Sequence, residues 1–300
     1  MADPSAKPQM SFGQRAGHYL SNVAIKSLIG LALALPYTAR VRLVGATVAH
    51  VVGPLVGYRR RAMAHLAHVF PQMDAAERKQ IATASLDNTG RTLIENYSNA
   101  DMMARMASQP ITGPGLAALE QASAEGRPAL LVSGHFGNYE TTRAALNSRG
   151  FSVGGLYRDM ANPYFNAHYV KTMENLGAPM FPKGASGNKR FVRHLRNGGQ
   201  VGFLFDQHVF NAPVLDFVGK PARTTTSAAE LALRYNALLI PFYGIRQPDG
   251  FSFETVLEAP IEHSDPLTMT QAMNDSISAR IRANPGQWLW MHRRWRPDQI

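Results

Sequence analysis

A histidine and a glutamate lie five residues apart in the segment Gly134-His135-Phe136-Gly137-Asn138-Tyr139-Glu140, directly after the apolar run 128–133. An ionised carboxylate can accept a hydrogen bond from one ring nitrogen of a histidine, which fixes the tautomer and leaves the other nitrogen free to take a proton. Open α/β sheets place their reactive groups in the turn after a buried strand. The pair therefore predicts a general base, His135, that is oriented by Glu140.

The spacing of the pair requires a turn between the strand and the following helix. On one continuous α-helix, residues five apart point about 140° away from each other. Gly134 and Gly137 permit the backbone angles of a tight turn. Asn138 is a suitable N-cap, which puts Glu140 in the first helical turn, where the helix dipole favours the ionised carboxylate.

Several common catalytic groups are missing from this sequence. It contains no cysteine, which excludes a thiolate nucleophile, a zinc–thiolate site and a disulfide framework. Neither a Gly-x-Ser-x-Gly elbow nor a His-Glu-x-x-His motif occurs. A His–carboxylate pair without a partner nucleophile favours direct deprotonation of a substrate hydroxyl. The alternative is a structural histidine at the end of a strand.

The chain is strongly basic. Its 300 residues carry 31 Lys and Arg against 21 Asp and Glu, a formal charge of +10. Such an excess predicts attraction to polyanions: nucleic acid, an anionic membrane surface, phosphorylated substrates or an acidic protein. No nucleic-acid-binding motif is present, so no nucleic acid is expected as a partner. The arginines cluster at 59–61, at 40 and 42, and at 293, 294 and 296.

The N-terminal part of the sequence is largely apolar and is predicted to be helical. Residues 1–10 are polar and are expected to be disordered, without a signal peptide. The block 24–35 holds about a dozen mostly apolar residues, which is short of the roughly 20 that a membrane span needs. We therefore predict an interfacial or partly inserted helix there and a second helix at 41–52. The alternatives are two ordinary core helices or a single span.

Further along, helices are predicted at 60–70 and 75–98, the second capped by Asp74. From residue 128 onward, β-rich runs alternate with helical runs, which predicts an α/β fold with a central mixed, mostly parallel sheet flanked by helices. Strands are predicted at 129–133, 152–157, 200–205, 238–243 and 252–258. Helices are predicted at 139–148, 162–176, 187–197, 225–236 and 269–283.

The motif from His135 to Glu140 resembles the His-x4-Asp/Glu motif of the glycerolipid acyltransferase superfamily. More narrowly, it resembles the lipid A biosynthesis acyltransferases of the lauroyl/myristoyl type. Further blocks agree with that family in order, over residues 15–296: Arg61 to Phe70-Pro71, Tyr157-Arg158, Asn162-Pro163, Asp206-Gln207, Phe217 to Ala222 with Thr224 and Thr225, and Trp288 to Trp295. Two positions depart from the family pattern, Lys171 and Val218.

The resemblance implies transfer of a fatty acyl group from an acyl-thioester, on acyl carrier protein or CoA, onto a hydroxyl of a lipid A precursor. It implies that the protein acts at the cytoplasmic face of a bacterial inner membrane and binds an anionic membrane surface. This reaction requires no metal and no other cofactor. Residues 1–57 would be a disordered tail and membrane-associating helices, and residues 58–300 the acyltransferase domain.

Other activities remain compatible with these residues. The acceptor could be an aminolipid, a lysophospholipid or a glycosylated phosphoinositide. A hydrolase would release the acyl group into water instead. From a different class, a non-catalytic lipid- or carrier-binding protein would use the basic surface for recruitment.

The resemblance also implies roles for individual residues. His135 and Glu140 are the catalytic pair. The oxyanion donor is expected to be a turn N–H near Gly137 or the guanidinium of Arg158, which could instead clamp a phosphate. The remaining expected substrate-binding residues are Asn162, Asp206, Gln207, Thr224 and Thr225. Asp206 and Gln207 would brace the site or orient the acceptor, and the threonines would cap a helix or contact phosphate. The terminal tryptophans would lie at the membrane interface or be buried.

Overall fold

The computed structural model describes residues 10–296, so the expected disorder of residues 1–9 lies outside the described residues. The helices are α1 (Phe12–Leu33), α2 (Tyr37–Thr47), α3 (Gly53–Leu55), α4 (Tyr58–Val69), α5 (Ala75–Tyr97), α6 (Asn99–Ala107), α7 (Gly115–Ala124), α8 (Tyr139–Asn147), α9 (Pro163–Leu176), α10 (Ala185–Arg196), α11 (Ser227–Tyr235) and α12 (Pro266–Ala283). A π-helical turn, Val48–Val52, continues α2, and a 3-10 turn, Pro285–Gln287, follows α12.

The strands are β1 (Ile111–Thr112), β2 (Ala129–Ser133), β3 (Val153–Tyr157), β4 (Met180–Pro182), β5 (Gln200–Leu204), β6 (Val214–Phe217), β7 (Lys220–Arg223), β8 (Leu238–Arg246) and β9 (Phe253–Leu257). Seven of them form one sheet in the order β1-β9-β8-β2-β5-β3-β4, and β6 and β7 form a separate hairpin. All neighbours in the large sheet are parallel except β8 and β9. The predicted α/β fold is thus confirmed.

Strand β2 occupies the middle of this sheet, between β8 and β5. All five of its residues are buried, as expected for a parallel strand covered on both faces. The largest cluster of buried apolar side chains packs around it and includes Leu130, Val132 and Phe136. The turn that carries His135 therefore rests on the best-buried strand of the fold.

All five predicted strands and all five predicted helices of this region occur. The prediction missed β1, β4 and the β6–β7 hairpin, because two to four residues at a sheet edge or in a hairpin give too short a periodic pattern. Helix α12 begins three residues earlier than predicted. Asp265 caps it through the N–H groups of Leu267 and Thr268, and Pro266 occupies its first position.

Both N-terminal helices start earlier than predicted. Helix α1 begins at Phe12, because Ser11 and Gln14 form a capping box there, and helix α2 begins at Tyr37, directly after Pro36. Across residues 10–296, none of the helices has by itself the length and apolar character needed to cross a membrane. The two segments Tyr37–Leu55 and Tyr58–Val69 meet that criterion only together, and they bend by 87° where they join.

Helix α2 packs tightly on α5. A Cβ at Gly45 would come within 2.5 Å of Asp87, and one at Gly90 within 2.7 Å of the Val44 carbonyl oxygen. The buried Arg40 donates to the carbonyl oxygen of Leu33 and to Asp101. Arg40 is therefore a packing residue, and it is not available to the anionic surface that its cluster predicted. The division of the chain at residue 57 stays a prediction.

Candidate active site

His135 and Asp206 meet at the carboxyl ends of two adjacent parallel strands. His135 lies two residues after β2, and Asp206 lies two residues after β5. The ring nitrogen Nδ1 of His135 is 2.7 Å from Asp206 Oδ1, and the backbone N–H of His135 donates to Asp206 Oδ2 at 2.8 Å. The carboxylate therefore holds both the backbone and the ring of the histidine.

Two glycines make this arrangement possible. A Cβ at Gly134 would lie 2.1 Å from Ile277 and 2.7 Å from Asp206 Oδ2, so a side chain there would push the carboxylate away from His135. Gly137 has φ +55°, and a Cβ would lie 2.0 Å from the Gly244 carbonyl oxygen. The predicted need for backbone freedom is thus observed at Gly137 alone, whereas Gly134, whose φ is not positive, is needed for close approach.

Asp206 is an ionised, buried carboxylate. Burial opposes its ionisation, but the attraction to His135 and the hydrogen bonds from His135 and Trp288 outweigh burial and lower the pKa of Asp206 to about 2. The indole Nε1–H of Trp288 donates to Asp206 Oδ2 at 2.9 Å. An ionised Oδ1 accepts the Nδ1–H of His135, which leaves Nε2 as the proton acceptor of the neutral ring. The side-chain amide nitrogen of Gln207 lies 3.5 Å from that Nε2.

Glu140 does not hold the ring of His135, contrary to expectation. In the described part of the chain, no hydrogen bond joins the two side chains. Glu140 Oε2 accepts from Arg143 at 2.5 Å, and both of these side chains are buried. The reason is geometric: after the turn, Glu140 sits in the first turn of α8, where Arg143 is three residues further along the same helix. The Asn138 cap that places it there is as predicted.

A buried polar network behind the turn was missed from the sequence. Glu95 on α5 is fully buried and accepts from Arg246 at the end of β8, at 2.6 and 2.8 Å, and from the amide of Asn138 at 3.0 Å. Asn88 donates to the Gly137 carbonyl oxygen at 3.0 Å. Asn88 and Glu95 are seven residues apart, so they lie on one face of α5. This spacing is the sequence pattern that could have indicated two polar side chains buried side by side.

The turn amides are committed to the protein. The N–H of Gly137 donates to the Gln287 carbonyl oxygen at 3.0 Å, and the N–H of Asn138 donates to the Gly244 carbonyl oxygen at 2.9 Å. Gly137 is thus not a free oxyanion donor in this arrangement, because its only N–H is already paired. The two predicted donors line different cavities at His135, Gly137 one and Arg158 the other.

Two cavities meet at His135. The first, of about 230 Å³, is lined mainly by α5 and α9 and includes Tyr97, Met173 and Leu176. The second, of about 190 Å³, opens over β3 and β5. The residues that line both are His135, Tyr139, Glu140, Tyr169 and Met173. Glu140 is therefore at the junction of the two cavities although it does not bond to the histidine.

The second cavity has a basic wall. Arg158 and Lys183 line it, and both are exposed at the surface. Partial burial and then the charge of Arg158 lower the pKa of Lys183. Gly155 and Gly202 face each other on adjacent strands and leave the floor of the cavity without side chains. An anionic group of a substrate would fit this wall, since two cations lie side by side with Gln207 next to them.

The other predicted binding residues lie elsewhere. The Asn162 side chain caps α9 through the N–H of Tyr164 and donates to the His18 carbonyl oxygen of α1 at 2.7 Å. The fully buried Thr224 receives hydrogen bonds from Arg294 and Asn274. Thr225 Oγ1 accepts the N–H of Ser227 at 3.3 Å at the start of α11, but the N-cap residue of this helix is Thr226, which forms no side-chain cap, so the predicted capping role is not observed. None of the three lines a cavity at His135 within residues 10–296.

The tryptophans of the C-terminal segment are buried. Trp288, Trp290 and Trp295 pack edge-to-face or stacked on one another, which excludes a membrane-interface position for their rings. The same segment contributes His292, which accepts the N–H of His208 at 3.1 Å. Burial lowers the pKa of His292 to about 4, against the opposing effect of Asp206. Because Leu289 of this segment lines the first cavity at His135, the C-terminal segment is a wall of the site.

Within residues 10–296, no three histidine, aspartate or glutamate side chains converge as metal ligands. The groups that converge at His135 are a carboxylate-bound imidazole, an apolar cavity and a cavity with a basic wall. Such a site can remove a proton from a substrate that has one apolar and one anionic part.

Comparisons with known proteins identify the family of this chain. The family model "Bacterial lipid A biosynthesis acyltransferase" matches residues 5–297. A lipid A biosynthesis acyltransferase of Haemophilus influenzae is 23% identical over 261 residues, which cover 86% of this chain and 81% of that protein. A lipid A biosynthesis lauroyltransferase of Escherichia coli is 28% identical over 258 residues, 81% of each chain. Because the family model spans nearly the whole chain, this protein belongs to the bacterial lipid A biosynthesis acyltransferase family and is an acyltransferase.

Proposed function

We propose that this acyltransferase transfers a fatty acyl group from an acyl-thioester onto a hydroxyl of a lipid A precursor, with His135 as the general base. The observation that carries the proposal is the hydrogen bond between His135 Nδ1 and the ionised Asp206, because it leaves Nε2 as the basic nitrogen. The membership of the family supports the acceptor class, and the two cavities support a reaction between two substrates.

The reaction needs one base and no redox step. Nε2 of His135 takes the proton of the acceptor hydroxyl while the hydroxyl oxygen attacks the carbonyl carbon of the thioester. The carbon–sulfur bond of the tetrahedral intermediate then breaks, and the leaving thiolate takes the proton back from His135. The products are an ester and a free thiol. A thiol has an unperturbed pKa of about 8.5, so it leaves with little acid assistance.

The two cavities suit the two ends of such a reaction. The cavity along α5 and α9 is largely apolar and suits an acyl chain. Arg158 and Lys183 suit a phosphate or another anionic group. Arg158 is also the candidate that stabilises the oxyanion, since the turn amides are paired within the protein. Glu140 lies at the junction, where we propose that it keeps Arg143 fixed and shapes the path of the hydroxyl.

The exposed apolar side chains of the N-terminal helices support attachment to a membrane surface. Phe12 and Leu55 are each 81% exposed, and Leu20, Leu28 and Leu31 on α1 are exposed by more than two thirds. An exposed apolar surface of this extent marks an interaction site, and the basic residues of the same helices favour anionic headgroups. We propose the cytoplasmic face of the inner membrane, where acyl carrier protein or CoA can deliver the donor.

The test is mass spectrometry of lipid A from a Gram-negative host with this gene, with the gene carrying His135→Ala, and without it. The proposal expects one additional acyl chain on lipid A with the wild-type gene alone. Purified protein is then given acyl carrier protein and CoA thioesters with defined acceptors. Esterification of a lysophospholipid or an aminolipid instead would replace the acceptor, and acyl release without any acceptor would identify a hydrolase. If no combination of thioester donor and acceptor gives turnover, the remaining interpretation is a non-catalytic lipid- or carrier-binding protein.

A further inference from the structure

A recess with three cationic side chains lies between helix α4 and the C-terminal segment. It measures about 300 Å³ and is lined by Tyr58 and Arg61 of α4 and by five residues between 289 and 296, among them Arg293 and Arg296. Within the described chain, no aspartate or glutamate lines this space, which we call the C-terminal recess. Its lining therefore carries three permanent positive charges and no negative charge.

The three guanidinium groups of the recess have no counter-ion. Within residues 10–296, none of them forms an ion pair with a carboxylate. Arg61 donates to the Met291 carbonyl oxygen at 3.2 Å, and its guanidinium lies over the ring of Tyr58. The Nε of Arg296 is buried and has no hydrogen-bond partner in the same part of the chain. Cations that are partly removed from water without a partner are costly, so a bound anion would relieve that cost.

The C-terminal recess adjoins both the reaction centre and the exposed apolar surface of the N-terminal helices. Leu289 lines the recess and also the first cavity at His135. Tyr58 follows Leu55 by three residues, and Leu55 is 81% exposed. The polar headgroups of a membrane lie directly outside its apolar layer. An anion in the recess would therefore belong to the headgroup of a lipid whose chains lie beside that apolar surface.

We propose that the C-terminal recess binds a phosphate group on the headgroup of the lipid acceptor. The inference rests on the proposed function for the reaction, and it names phosphate as a feature by which the acceptor is recognised. Arginine suits this ligand, because its planar guanidinium donates two parallel hydrogen bonds to phosphate oxygens. The recess shares no lining residue with the basic wall formed by Arg158 and Lys183. That wall then remains available to the anionic part of the donor.

The first test compares one lipid acceptor before and after a phosphatase removes its phosphate. For the wild type, kcat/KM should fall by about tenfold or more on dephosphorylation, because a hydrogen bond to a charged group has that effect on binding. The change should be a rise in KM, since the phosphate is bound equally in the ground state and the transition state. Arg61→Gln and Arg293→Gln should show the lower kcat/KM with the intact acceptor and should respond little to the phosphatase.

The matched control is Arg60→Gln. Arg60 precedes Arg61 on α4 and is exposed, but it does not line the recess. This variant removes the same charge from the same helix and should keep the wild-type response to dephosphorylation. Arg293 makes no hydrogen bond or ion pair within residues 10–296, so Arg293→Gln should fold as the wild type does. Arg61→Gln loses its bond to Met291, and its folding is checked by thermal unfolding.

The donor is then varied to identify the source of the phosphate. Wild type and Arg293→Gln are given an acyl-CoA thioester, which carries phosphates, and the phosphate-free acyl-pantetheine thioester. If Arg293→Gln raises KM only for the phosphorylated donor, the recess holds a phosphate of the donor and the proposal is overturned. Equal responses of wild type and Arg293→Gln to dephosphorylation of the acceptor would also overturn it.

Direct binding separates the recess from the proposed reaction. Hexyl phosphate is titrated calorimetrically into protein that carries Arg158→Gln, which weakens the other basic cavity. Addition of Arg293→Gln should weaken binding by about tenfold, and addition of Arg60→Gln should leave it unchanged. Equal or undetectable binding by all three proteins would reject the site even if transfer is efficient. The expected difference without any turnover would support the recess and reject only the proposed reaction.

Discussion

The turn at His135 and the helix α1 are built in opposite ways. At the turn, the backbone N–H of every residue from His135 to Asn138 is hydrogen-bonded, and the side chains behind it form a buried ionic network. Within the described helix α1, Asn22 is the only buried side chain, and large apolar residues face outward. A general base must be held to within a fraction of an ångström, whereas a surface that handles lipid chains needs area and adaptability. This difference is what the proposed function requires of a region that carries the chemistry and a region that contacts lipid.

The largest expected effect comes from removal of the proposed general base. His135→Ala should reduce transfer by about 10²- to 10⁴-fold, because removal of a positioned base has that cost. Its thermal unfolding temperature should stay close to that of the wild type, since the histidine ring is partly exposed and Asp206 keeps its bond from Trp288. The measurements are initial rates and thermal unfolding by circular dichroism. Near-wild-type turnover by folded His135→Ala would show that His135 is not the general base and that the reaction takes place elsewhere.

The second prediction separates the two carboxylates of the site. Asp206→Asn keeps an oxygen for the backbone N–H of His135 and for Trp288 but presents an amide to Nδ1. The ring must then carry its proton on Nε2, which is the wrong tautomer for a base, so the rate should fall by roughly 10²-fold or more.

Glu140→Gln should show a different profile. It weakens a buried ion pair with Arg143, so it should lower stability by on the order of 1–3 kcal/mol, with a smaller loss of rate than Asp206→Asn. Rates and unfolding midpoints are measured for both variants. A larger loss of rate in Glu140→Gln than in Asp206→Asn would return the orienting role to Glu140.

The sequence predicted the turn but not its partner, and the reason is physical. The glycines, Asn138 and the apolar run of β2 are local signals, and they define the strand, the turn and the helix. The choice between Glu140 and Asp206 depends on β2 and β5 being neighbours, and strand order is a property of the whole chain. The pairing of Glu95 with Arg246 could not be predicted for the same reason, because these residues are 151 positions apart in the chain and meet only in the folded protein.

Asn162 and Thr224 illustrate a different limit. A residue that caps a helix or fills a buried hydrogen bond has the same chemical groups as one that binds phosphate. Asn162 precedes a proline at the start of α9, and that position alone is compatible with either role. Only the position of each side chain relative to His135 separates the two roles, and that position is set by tertiary packing.

The third prediction tests the other side of the comparison. Phe12→Ser together with Leu55→Gln should weaken binding to anionic vesicles by about tenfold or more, because each removes a large exposed apolar side chain from the N-terminal helices. Activity in detergent micelles should be retained, since neither residue lines a cavity at His135. The measurement is vesicle flotation. Leu267→Gln is the control, because Leu267 is 48% exposed but lies on α12. Equal flotation of the double variant and the control would place the membrane surface elsewhere.

The smallest expected effect concerns His292, which lies on the rigid side of the molecule. Its pKa is lowered to about 4 in the folded protein, whereas an unfolded histidine titrates near 6.5. The unfolded chain therefore binds the extra proton first as the pH falls. The stability from this group is fully present above about pH 6.5 and is lost as the pH falls towards 4.

His292→Gln removes the titration but keeps an oxygen that can accept the N–H of His208. Between pH 6.5 and 4, the unfolding temperature should fall less steeply in His292→Gln than in the wild type, with His50→Gln on the exposed N-terminal helices as the control. If the unfolding temperatures of all three proteins fell in parallel with pH, His292 would not be shielded from water. The contrast between the two regions would then hold only for the His135 turn.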